Sequence, residues 1–125
     1  MSRKNTLRIA DYLQHILDAI ENINTYTADM DVTAFKADSK TFDAVIRNFE
    51  VIGEACNNLV KDHPQFAAAH ASVPWGVAYE MRNALSHGYF NVDLDVVWRT
   101  SRQDLPTLQK QIATLVSSAD LTPGG

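Results

Sequence analysis

A chain of 125 residues suffices for one domain with its own core, and 46% apolar with 21% charged residues is the balance of a soluble globule rather than of a disordered or fibrous chain. The net charge of −4 and pI near 5.4 exclude a broad basic face for gripping long RNA or DNA, so any nucleic-acid contact has to be local, around a few phosphates. No run approaches the ~18–20 apolar residues of a membrane span, no signal-peptide core follows Met1, and the one cysteine, Cys56, cannot close an internal disulfide, so a cytoplasmic protein is expected.

Residues 1–5 are polar and expected to fray. From Thr6 a helix is predicted, its seam formed by Ile9, Leu13, Ile16, Ile20 and Ile23 at spacings of 4, 3, 4 and 3. Thr25 to Lys36 breaks that pattern and reads as a connecting loop, with Phe35 folding back on the core. Asp38 and Ser39 cap a second helix over about Lys40 to Lys61, with the stripe Phe42, Val45, Phe49, Ile52, Cys56 and Leu59. Gly53 interrupts it at a cost of about 1 kcal/mol relative to Ala, which suggests a close approach by a backbone or bulky side chain. Pro64 ends this helix, because proline disfavours helical geometry in the residue before it.

Gln65 to Ala71 is expected to form one short alanine-rich turn. Ser72 and Pro74 then open a third helix with Trp75, Ala78, Met81 and Leu85 towards the core and Arg82 and Asn83 turned partly away. A last helix opens at Val92-Asp93 and carries the stripe Leu94, Val97, Ser101, Leu105, Leu108, Ile112 and Leu115, with Trp98 beside it; Pro106 should kink it rather than end it. The tail, Ser117 to Gly125, is expected to be disordered. The expected fold is all-α: an antiparallel four-helix bundle over residues 1–116, with an extra short helix or turn before the third helix.

Chemistry concentrates in Arg82-Asn-Ala-Leu-Ser-His87-Gly88-Tyr89. Arg82 carries a permanent charge on a planar fork of donors suited to phosphate. His87 has an ordinary pKa of about 6.5, fit for proton transfer in both directions near neutrality. Asn83 lies four residues before His87 and would share its helix face. Gly88 suits a C-terminal cap, and Tyr89 brings a hydroxyl close by. A plainer reading also fits the types: a His in the last turn complements the helix dipole, and Arg82 pairs with Glu80 on the surface.

Arg82, His87 and Tyr89, at that spacing and with Asn83 after the Arg, resemble the signature of HEPN-domain toxins of the HepT type. Arg47-Asn-Phe-Glu-Val-Ile-Gly-Glu-Ala55, Pro74-Trp75, Tyr89-Phe90, Val97-Trp98 and Asp104-Leu105-Pro106 resemble further stretches of that family, and the likeness runs from about Leu7 to Leu115. The resemblance implies a HEPN-like bundle and a metal-independent endoribonuclease, with catalytic Arg82 and His87. It also implies a homodimer with a composite site. Its inhibitor would be a minimal nucleotidyltransferase antitoxin, which in some systems transfers AMP to the motif tyrosine, here Tyr89.

The residues agree on several points. Metal-free cleavage needs a base, an acid and a cation around one phosphate, and one motif copy supplies half of that set. Asn83 would hold the His87 ring or touch the phosphate. Glu54, or Glu50 one turn earlier, either orients Arg82 or His87 or belongs to a solvated face. His15, His63 and His70 have no metal-ligand spacing, and neither a metal nor a cofactor is expected. Two other readings stay open: a catalytically silent binding subunit of a nucleotidyltransferase, and a nucleotide-binding module in which Arg82 and His87 grip a triphosphate.

Overall fold

The computed structural model describes residues 7–79 and 93–117. These contain helices α1 (Ile9–Tyr26), α2 (Val32–Lys36), α3 (Ser39–Asp62), α4 (Pro64–Ala69), α5, whose described part covers 75–79, and α6 (Leu94–Val116), and among the described residues there is no strand. The expected all-helical bundle is what forms. No helix among the described residues is long and apolar enough to cross a membrane.

The seam read from α1 is buried from Leu13 through Ile16 and Ile20 to Ile23, all fully, and only Ile9 at its start stays partly exposed. It meets Val45, Phe49, Ile52, Cys56 and Leu59 of α3 and Val97, Leu105, Leu108, Ile112 and Leu115 of α6. Full burial of each such side chain contributes roughly 1.5–3 kcal/mol. Polar contacts at the helix ends give the directions. Tyr12, near the start of α1, donates to the carboxylate of Asp62 at the end of α3, while Asn22 Nδ2 donates to Asn48 Oδ1 at 3.1 Å nearer the other end. α1 therefore runs antiparallel to α3. It is antiparallel to α6 as well, since Arg102 of that helix donates from Nη2 to the Thr27 carbonyl, just past α1, at 2.7 Å.

Helix ends follow the expected chemistry. Asp38 accepts from Thr41 N–H at 3.1 Å and caps α3. Asp93 accepts from the N–H groups of Asp95 and Val96 at 3.0 and 3.3 Å and caps α6. His63, held out of the helical region ahead of Pro64, closes α3, and Pro64 opens α4. α6 continues past Pro106 to Val116, as its stripe requires. The expectations for residues 1–6, for Met81 and Leu85, for Val92 and for the tail beyond Ser117 lie outside the described residues.

The segment from Thr25 to Lys36 differs from the loop expected. α1 runs on to Tyr26, and residues 32–36 form α2, because Asp31 accepts from Ala34 N–H at 2.9 Å and Phe35 is buried against Phe42 and Trp98, with ring centroids 6.2 and 5.2 Å away. One cap and one aromatic anchor suffice for a single turn, too short for any periodicity to betray. Phe35 does fold back on the core, and its removal should leave a cavity between α2, α3 and α6. Phe35→Ala is expected to cost about 3–5 kcal/mol in urea unfolding, as for other buried aromatics.

Cys56 sits on the buried face of α3, and burial pushes its thiol up from 9.0 to about 12. The native protein should therefore resist a thiol reagent near neutral pH and react only after denaturation. The neutral thiol is the form the core tolerates, so its contribution to stability is complete below pH 9.0 and is lost as pH rises from there through about 12. A denaturation series against pH in wild type and Cys56→Ala should show a steeper slope over that range in the former, the raised pKa of Tyr12 contributing to both.

Candidate functional site

Arg82, Asn83, His87, Gly88 and Tyr89 lie outside the described residues. What the structure does show is the frame from which their segment hangs. On the entry side, Trp75 is buried, its Nε1 donates to the His70 carbonyl at 3.2 Å, and its N–H donates to the Val73 carbonyl at 2.8 Å. Pro74 precedes α5, and its carbonyl accepts from Ala78 N–H at 2.9 Å. Gln111 of α6 donates to the Ser72 carbonyl at 3.0 Å, tying this entry to the last helix. On the exit side Asp93 caps α6, and Lys36 pairs with Asp95 at 3.2 Å. The described residues on both sides of 80–92 are thus anchored to packed helices.

Among the sequence-predicted supporting residues, Glu54 is exposed on α3. Glu50, one turn earlier, is half-buried and pairs with Arg47 at 3.6 Å. Gly53 between them is buried. Arg102 of α6 is committed to the fold: its guanidinium lies 4.3 Å from the Trp98 ring centre and also bonds the Thr27 carbonyl.

His63, His70 and Tyr12 serve packing. His63 Nε2 donates to the Leu7 carbonyl at 2.8 Å, and its ring meets Tyr12 edge to face. His70 lies against Phe66 with ring centres 4.5 Å apart. Desolvation, and then the bond to Asp62, raise the pKa of Tyr12 and keep its hydroxyl a donor. Among the described residues no three His, Cys, Asp or Glu side chains are grouped to hold a metal ion.

Two clefts border α5, and sequence reasoning found neither. One, of about 300 Å³, lies between α3 and α6 and is lined by Phe49, Ile52, Val77, Asp104 and Leu108 among others; Val77 is 63% exposed there. The other, of about 360 Å³, lies between α3, α4 and α5, with Asn57, Val60, Ala67, Trp75, Gly76 and Tyr79 on its walls. Each draws on three helices, whereas a stripe reports only which side of one helix is buried.

The ribonuclease HepT-like family matches residues 16–115, a span that includes the whole of 82–89. A protein of Thermococcus cleftensis named "Probable ribonuclease HepT" is 41% identical over 105 residues, covering 84% of this chain and 93% of its own. A Methanocaldococcus jannaschii protein named "Gamma-glutamylcyclotransferase and putative RNase" is 38% identical over 109 residues, 87% of this chain but 48% of that longer one. A "Putative RNase" of Caldanaerobacter subterraneus subsp. tengcongensis is 34% identical over 105 residues, covering 84% of this chain and 91% of its own. No solved structure matches significantly. With a helical bundle of the expected kind and a family match over most of its length, the chain belongs to the ribonuclease HepT-like family.

Proposed function

We propose that this protein is a metal-independent endoribonuclease, the toxin of a toxin–antitoxin pair, acting through Arg82 and His87. The observation that carries this reading is the Arg82…His87-x-Tyr89 signature standing complete inside the family-matched span. That relatives are named as ribonucleases supports it.

In this mechanism the ribose 2′-hydroxyl attacks the adjacent phosphorus while one His87 removes its proton. The Arg82 guanidinium stabilises the charge gathering on the phosphoryl oxygens. The bond to the 5′-oxygen breaks, and that oxygen takes a proton from the second His87. The products are a 2′,3′-cyclic phosphate and a 5′-hydroxyl. One motif has only one His and one Arg, so a two-fold dimer brings two copies round one cleft. Asn83 holds the ring of His87 or touches the phosphate, and Glu54 is a positioning residue. An acidic surface suits a mechanism in which RNA is held at a few phosphates rather than along a basic face.

A minimal nucleotidyltransferase antitoxin would silence this site. In the modification, the Tyr89 oxygen attacks the α-phosphorus of ATP and pyrophosphate leaves, so a phosphodiester comes to lie beside Arg82 and His87 where the substrate phosphate would go. In EDTA, the wild-type protein freed of its partner is expected to cut RNA to cyclic phosphate ends, with His87→Ala and Arg82→Ala each slower by at least about a hundredfold. Equal cleavage by all three would contradict the assignment, and no cleavage of total RNA by wild type would favour a silent binding subunit.

A further inference from the structure

A surface of net charge −4 gains little from general phosphate attraction, so an RNA strand on it needs other holds. Stacking on aromatic rings and hydrogen bonds to base edges are the means by which proteins take up unpaired nucleotides. The cleft between α3, α4 and α5 offers both. The half-buried ring of Tyr79 is the one placed to meet a base, while the Trp75 ring one turn earlier in α5, buried and locked through Nε1, forms a fixed floor beside the small, buried Ala67. Asn57 stands on the α3 side, with no hydrogen-bond partner for its carboxamide among the described residues. A carboxamide presents a donor and an acceptor side by side, as a base edge does.

Gly76 is the most telling member. It lies in α5 without a left-handed backbone, and a Cβ built on it would meet nothing within 4 Å among the described residues. Neither a turn nor a close approach calls for glycine there, and glycine weakens a helix. What its missing side chain does is leave the cleft open. Tyr79 stands three residues before Arg82, so their Cα atoms are at most about 11 Å apart whatever path the chain takes between them.

We propose that this cleft takes up the unpaired base of a nucleotide adjoining the scissile phosphate, with Asn57 reading the base edge and Gly76 keeping the entrance clear. The proposal rests on the ribonuclease reading. The other cleft, walled by Phe49, Ile52 and Leu108, carries no comparable pairing of a ring with an uncommitted amide.

The test is the affinity of a fluorescein-labelled single-stranded RNA of about ten nucleotides for His87→Ala protein, alone and combined with Gly76→Leu, Gly76→Ala or Asn57→Ala, beside cleavage kinetics in the active background. Gly76→Leu should weaken binding about tenfold, the size of losing one stacked base, and raise KM to match with kcat little changed. Gly76→Ala, whose methyl group enters open space and favours the helix, should give a smaller loss with thermal stability kept or raised, which keeps the test sound should the leucine variant fold poorly. Asn57→Ala should alter the base preferred beside the cut. Wild-type cleavage with affinity and KM unmoved by all three variants would overturn the cleft assignment and leave the ribonuclease standing. Wild-type protein that neither cuts nor binds RNA would overturn both.

Discussion

The seam between α1 and α3 is the constraint on which the rest of the molecule depends. Leu13, Ile16, Ile20 and Ile23 press on Val45, Phe49, Ile52, Cys56 and Leu59, and none of these side chains is more than 3% exposed. Apolar contacts of this kind fix that two helices pack but not their relative slide. The register comes from polar bonds: Tyr12 to Asp62 at one end, and Asn22 to Asn48 towards the other, with Asn48 also donating to the Ala44 carbonyl at 2.9 Å. A one-residue slide would strand these groups, partly buried, without partners, at a cost of about 1–3 kcal/mol each. α6 is set by the same logic through Arg102, Trp98 and Thr27.

The described residues on either side of the family motif are held in place, Trp75 at the start of α5 by its Nε1 bond to the His70 carbonyl and Asp93 by its cap on α6. The proposed phosphoryl chemistry needs both the Arg and the His of that stretch. The histidines that packing does use, His63 and His70, are recognisable by their partners: a backbone carbonyl in one case, an aromatic ring in the other.

Much of the fold was legible in the sequence because heptad-like spacing states burial directly. The stripes of α1, α3 and α6, the Asp38 cap and the break at Pro64 all follow from residue type and interval. α2 was not legible, since a single turn held by Asp31 and Phe35 has no period to detect. Nor was the burial of Thr27, Asn48 and Thr100, polar residues whose places depend on a neighbouring helix. The motif is legible as chemistry through its residue types and spacing. The bordering clefts are not, because Asn57, Gly76 and Tyr79 come together only once α3 and α5 are docked.

The central claim is that one cleft is completed by two copies of the motif. It is tested most directly by mixing two inactive proteins, Arg82→Ala and His87→Ala, under conditions that let protomers exchange, and measuring RNA cleavage. Random exchange makes about half of the dimers mixed, each with one Arg82 and one His87 at the shared cleft. The account predicts that the mixture cuts RNA clearly faster than either variant alone, leaving cyclic phosphate ends. A mixture no faster than the sum of its two components, with exchange shown to have occurred, would contradict it.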